Sequence, residues 1–205
     1  MEIEARVAAP QIEMQFRNTS ERFGFVAKTF HWLTLALLIG SFTLALTMID
    51  LPLSPRKLQF YSWHKWFGVT VFLVTILRLG WRLLNPAPAQ PAGMPRWQRR
   101  LAGLSHAALY AVLIIMPLTG WVMSSALNLP LVYLGIIYIP SPFGVDPALG
   151  ESMKSVHGGL AITLLVLVGV HVAAALYHHV ILRDDVLRRM LPWASRLRMS
   201  RVDTQ

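Results

Sequence analysis

The chain has 205 residues, 55% of them hydrophobic and only 14% charged, with a mean hydropathy of +0.50. It is too apolar for an ordinary soluble domain and reads as a membrane protein. A formal net charge of +9 would suit nucleic acid, but the cations gather on one side of the predicted spans. That is the signature of membrane topology and speaks against a nucleic-acid partner. Cysteine is absent, which excludes disulfides, thiolate metal sites, iron–sulfur clusters and covalently attached CxxCH haem. Any metal must be held by His, Met, Tyr or carboxylate.

Residues 1–21 form a polar tail that carries Glu2, Glu4 and Glu13 and has no apolar core, so no cleavable signal peptide is expected. Four stretches that follow, 28–49, 64–84, 101–126 and 156–182, are apolar over lengths that cross a bilayer. Helices are the expected state, because a span must satisfy its backbone internally and these runs lack the alternation of barrel strands. The Pro- and Ala-rich segment 85–97 is a surface linker. A longer loop, 127–155, carries Pro130, Pro140, Pro142 and Pro147 and the apolar run LVYLGIIYI. That run is too short to span and is expected at the membrane interface or over the helix ends. Residues 193–205 form a basic tail; no second domain or internal repeat is present. The reading is an all-α membrane protein, a four-transmembrane-helix bundle over residues 22–192.

Fifteen of the nineteen Lys and Arg residues fall on one side: Arg6, Arg17, Arg22, Lys28, Arg78, Arg82, Arg96, Arg99, Arg100, Arg183, Arg188, Arg189, Arg196, Arg198 and Arg201. Arg56, Lys57, Lys65 and Lys154 fall on the other. The positive-inside rule then makes both termini cytoplasmic in a bacterial inner membrane.

Topology gives each histidine a depth. His64 and His157, on the second and fourth spans, share the outer level. His31, His106 and His171, on the first, third and fourth, share the inner level, with His178 and His179 at the inner end. His157 and His171 stand fourteen residues apart on one predicted helix, so their side chains are offset by only roughly 40° and separated by roughly 21 Å. A single membrane histidine is often a packing or hydrogen-bonding residue. Four spans that each carry one, at two matching depths, instead suggest two ligand sites, and imidazoles from facing helices suit a haem iron. Gly68, Gly158, Gly159, Gly169 and Ala173 to Ala175 would open room for a flat macrocycle, although small residues also serve ordinary helix packing. Arg78, inside the second span, needs either an anion such as a haem propionate or a route for snorkelling to water.

The motifs FHWL (30–33), WHKWFG (63–68), HAALY (106–110), PLTGW (117–121), KSVHG (154–158) and HVAAALYHH (171–179) fall on the four spans in order. As a set they resemble the bacterial cytochrome b561 family, which includes the b-type cytochrome subunit of nickel–iron hydrogenases. The resemblance covers about residues 22–192. It implies two non-covalent haem b groups, the outer one held by His64 and His157 and the inner one by His31 and His171. Arg78 and Lys154 then become candidates for cofactor contacts, and His106 a spare histidine beside the inner haem or a quinone-site residue. His178 could ligate on spacing alone but lies close to the inner surface.

The implied activity is electron transfer between an outer donor, either a protein or a small anion such as superoxide, and the quinone pool, with ubiquinone the candidate quinone. Arg56, Lys57, Lys65 and Lys154 could form a cationic rim that steers an anion, or simply anchor to lipid phosphates. A haem-bearing anchor for a hydrogenase or other dehydrogenase is the alternative, and a haem-free transporter or proton pathway is the reading from another class. Membrane lipid, and a second copy of the chain, complete the partners this picture admits.

Overall fold

The structure, a computed structural model, describes residues 15–91, 93–141 and 143–192. The expectations for most of the first tail, for all of the second, and for Arg6, Pro142, Arg196, Arg198 and Arg201 lie outside the described residues. Four long helices account for most of the chain: α1 (Phe25–Ile49), α2 (Pro55–Leu84), α3 (Arg96–Ala126) and α4 (Pro147–Val180). All four are long and apolar enough to cross a membrane. At about 1.5 Å per residue the shortest is about 37 Å and the longest about 51 Å, so each exceeds a hydrocarbon core of about 30 Å.

Two of the helices begin nine residues before their apolar stretches, and local chemistry explains both. The Ser54 side chain accepts from the Lys57 backbone N–H, with Pro55 in the first turn, and the Asp146 side chain accepts from the Leu149 N–H, with Pro147 in the first turn. A capping oxygen followed by proline, which needs no backbone partner there, is a strong helix start. The last third of the expected 127–155 loop is therefore about the first two and a half turns of α4. The remainder forms a short antiparallel hairpin, β1 (Leu131–Tyr133) and β2 (Ile137–Ile139), which adds two strands to the helical bundle.

α1 pairs closely with α2, α3 with α4, and α2 with α3, while β1 lies on α2 and touches α3. The buried core is small: Val71, Val112, Leu113 and Leu164, with Leu37, Phe42 and Leu160 around it. Most other apolar side chains point outward, as in Leu46 and Ile162, which is how a bundle solvated by lipid is built. α4 packs on α3 but makes little close backbone contact with α1 or α2. At the other end from the hairpin, the chain's terminal segments cross: Trp32 Nε1 donates to the Met190 carbonyl (3.0 Å), Lys28 to that of Leu191 (3.2 Å), and Arg189 to that of Ala89. The two ends of the bundle are called here the hairpin end and the terminus end.

Candidate haem-binding sites

At the hairpin end α2 and α4 bring His64 and His157 face to face, with ring centroids 6.2 Å apart. His64 Nδ1 lies 3.0 Å from the Ser41 carbonyl of α1 and 3.2 Å from its hydroxyl. His157 Nδ1 lies 3.1 Å from the Met116 carbonyl of α3 and 3.1 Å from the Thr119 hydroxyl. A carbonyl can only accept, so both Nδ1 atoms carry the proton and donate it. In a neutral ring this leaves the Nε2 lone pair free, which is the tautomer a metal needs and the usual support given to a ligating histidine. A small cavity opens between the two rings, lined by Leu38, Phe42, Gly68 and Leu113 among others.

The terminus end holds three rings. His31 of α1 is 6.1 Å from His171 of α4, and His106 of α3 is 5.4 Å from the same ring. Two imidazoles on opposite sides of one metal, with bonds of about 2.0 Å and about 1.2 Å from ring nitrogen to centroid, place their centroids about 6.3 Å apart. The His64–His157 and His31–His171 pairs fit that spacing, whereas His106–His171 is too short. Arg78 Nη2 donates to His31 Nδ1 at 3.0 Å. The guanidiniums of Arg78 and Arg82 both lie over Tyr110, 5.6 and 5.9 Å from its ring centre. Arg78 thus turns into the bundle towards a ligand candidate. Its bond makes His31 Nδ1 an acceptor, the reverse of the arrangement at His64 and His157. A ligating His31 needs that nitrogen protonated, so Arg78 would have to exchange this contact for an anion.

Among the described residues no three His, Asp or Glu side chains converge on a point that could hold a lone metal ion. Paired imidazoles suit a metal whose other bonds come from a macrocycle; the His64–His157 pair has both the spacing and the tautomer for it, and the His31–His171 pair has the spacing.

Other expected site residues fall elsewhere. Lys154 is three residues before His157 but 64% exposed and paired with Glu151 at 3.2 Å, so the structure does not bring it to the ring pair. Lys65 donates to the Pro130 carbonyl, Lys57 to that of Leu51, and Arg56 lies over Phe60. His178 bonds Asp184 and faces no second histidine. His179 Nδ1 is buried with no hydrogen-bond partner among the described residues.

Added Cβ atoms at Gly68, Gly158, Gly159 and Gly169 would meet nothing within 4 Å. These glycines do not mediate tight helix packing; Gly68 lines the cavity. The glycine that does govern the site is Gly120, where a Cβ would lie 3.2 Å from His157 Cε1. It stands in the PLTGW motif, but only the placement of α3 against α4 reveals its contact with the ring.

Comparison with known proteins identifies the family. The profile described as prokaryotic cytochrome b561 matches residues 22–193. Cytochrome b561 homolog 2 of Escherichia coli (strain K12) is 31% identical over 185 residues, 87% of this chain and 95% of that protein. Cytochrome b561 homolog 1 of the same organism is 29% identical, covering 83% of this chain and 97% of its own. A probable superoxide oxidase CybB of Yersinia pestis is 28% identical, with coverage of 79% and 91%. Four membrane-crossing helices with paired histidines, and a match along nearly their whole length, make this chain a multi-pass membrane protein of the prokaryotic cytochrome b561 family, whose work is electron transfer with b-type haem.

Proposed function

We propose that the chain binds two haem b groups, one through His64 and His157 and one through His31 and His171, and passes electrons between a donor at the hairpin end and a quinone. The observation that carries this reading is the pair of matching ring separations, 6.2 and 6.1 Å, at two depths. When bound, haem supplies a one-electron iron couple at each level. The protein supplies the rest. Ser41 and Met116 hold two rings with Nε2 free, Gly120 lets His157 sit close to α3, and a pair of imidazoles on each iron would disfavour oxygen binding there. Arg78, together with Arg82, offers positive charge for a propionate at the terminus end. His106, beside His171 but off the ligand spacing, is the candidate for a quinone contact there.

The likeness to a probable superoxide oxidase supports a small anion as the donor. Each superoxide would give up one electron and leave as dioxygen; two such electrons with two protons turn a quinone into a quinol. Lys57, Lys65, Arg56 and Lys154 lie on the hairpin side and would attract that anion. Their scarcity there, against the cations at the terminus end, supports an inner-membrane orientation with cytoplasmic termini.

The test is an absorption spectrum and a haem assay on purified protein. The proposal expects a Soret band and two non-covalent haems for each chain, reducible by superoxide and reoxidised by a quinone. A chain without a Soret band would return the histidines to a proton-relay role.

A further inference from the structure

From the hairpin we infer that its tip, Leu134 to Ile137, is inserted among the lipid acyl chains at its end of the bundle, making β1 and β2 a membrane wedge seated beside the His64 site. The backbone of the turn carries the first argument. Leu134 and Gly135 have φ of 54° and 77°, and Ile136 N–H donates to the Tyr133 carbonyl. Tyr133 pairs with Ile137, so the connection is three residues long, and its first two residues both have positive φ, which glycine adopts freely and which strains a leucine. A leucine kept there is 51% exposed, and Ile136 beside it is 80% exposed. In water such a tip would combine backbone strain with exposed apolar area; in lipid the side chains are solvated.

Composition gives the second argument. Residues 127–145 contain no Asp, Glu, Lys or Arg, which is unusual for a connection that lies in water but natural for one that lies in the interface.

The third argument concerns the strand edge, since an open edge cannot face hydrocarbon. The edge of β1 is covered: Lys65 Nζ donates to the Pro130 carbonyl at 2.8 Å, and Trp66 Nε1 to that of Val132 at 2.6 Å. Tyr133 reaches down α2 to Thr70, with the two hydroxyls 2.9 Å apart. From Pro130 to Tyr133 the contacts on α2 run from Lys65 to Thr70, and a Cβ built on Gly135 at the tip would lie 3.9 Å from the Trp66 ring. The tip therefore stands level with Trp66, within the apolar part of α2 that begins near His64, and acyl chains are the surroundings it meets there.

Because the sequence has no cysteine, Ile136→Cys gives a single labelling site in the haem-loaded protein. A nitroxide placed there, in vesicles of phosphatidylethanolamine and phosphatidylglycerol, is compared with labels at Val166→Cys in mid-span and Ser152→Cys near the start of α4. Relaxation by oxygen, which partitions into lipid, should exceed relaxation by a water-soluble nickel chelate several-fold at positions 136 and 166, with the opposite order at 152. A label at 136 that behaves like the one at 152 would overturn the inference. So would a label shielded from both reagents, which would mean that a second copy or another protein covers the tip. Leu134→Asn provides a variant that suits the turn and keeps the hairpin folded. It should raise nickel access at 136 at least twofold, and an unchanged label would show that the apolar tip does not hold the hairpin in lipid.

Discussion

Replacing His157 by Ala should remove one haem and leave the other almost untouched. His157 and His171 lie on one continuous helix, α4, and fourteen residues at about 1.5 Å each put the two sites about 21 Å apart. Perturbations farther apart than about 7–10 Å that share no partner are additive to within about 0.5 kcal/mol. At about 1.4 kcal/mol per factor of ten, that is about a twofold change in affinity at the distant site. His157 is supported by Met116 and Thr119, whereas His171 has His31 and His106 beside it, so no partner is shared. Haem content per chain, measured as the pyridine haemochrome against protein concentration, should fall from two to one in His157→Ala and likewise in His171→Ala. Residual haem in each single variant should bind within about twofold of the parent, and the double variant should hold none. Loss of both haems from either single change, with helicity by circular dichroism unaltered, would refute independent sites. At the terminus end, His31→Ala should cost that haem while His106→Ala should retain it; the converse would reassign the ligand.

Four further outcomes follow from single contacts. Gly120→Ala puts a methyl 3.2 Å from His157 Cε1, and crowding of this kind costs about 1–3 kcal/mol; electron paramagnetic resonance should show a shifted signal from the hairpin-end haem alone. Arg78→Leu removes a positive charge which, taken at about 8 Å from the iron and an effective dielectric of about 20, stabilises the reduced state by about 2 kcal/mol. Redox titration in a His157→Ala background should therefore give a midpoint lower by about 90 mV for one electron. Trp66→Phe removes one of two donors to the Val132 carbonyl and leaves that of the Gly135 N–H, a loss of about 0.5–1.5 kcal/mol, and hydrogen exchange of the hairpin amides should quicken while those of α4 do not. Neutralising Lys65 and Lys154 together should slow reduction by superoxide and flatten its dependence on ionic strength; an unchanged rate at low salt would remove these residues from any steering role.

The number of spans, the histidine-bearing helices and the two depths were legible because lipid imposes a simple rule on sequence: long apolar runs, with each polar interruption demanding a reason. The starts of α2 and α4 were legible in principle too. Ser54-Pro55 and Asp146-Pro147 announce them, but the charged residues that follow, Arg56 and Lys57 in one case and Glu151 and Lys154 in the other, fall outside the apolar windows used to recognise a span. The hairpin was harder to see, since its turn uses Leu134 where a hairpin in water would carry Asn. The carbonyl partners of His64 and His157 are backbone atoms, and nothing in the identity of Ser41 or Met116 marks them. Choosing between His31 and His106 from residues alone was equally out of reach. Both sit early in spans that begin on the same side, and the proposed choice of His31 rests on the distances of 6.1 and 5.4 Å to His171.

Having one histidine of each proposed pair on α4 also bears on which length changes the chain can tolerate. One residue inserted between His157 and His171 would turn everything beyond it by about 100°, swinging one histidine away from its partner while the other kept its place. Three or four residues would nearly restore the direction but displace a site by about a helical turn relative to α1, α2 and α3. The segment from His157 to His171 is therefore a ruler of fixed length, whereas the 85–95 linker, which only joins helix ends, can lengthen or shorten. Relatives that divide along this line, with insertions in the linker and none in the ruler, would carry the bundle's mechanical constraint as a visible pattern of gaps.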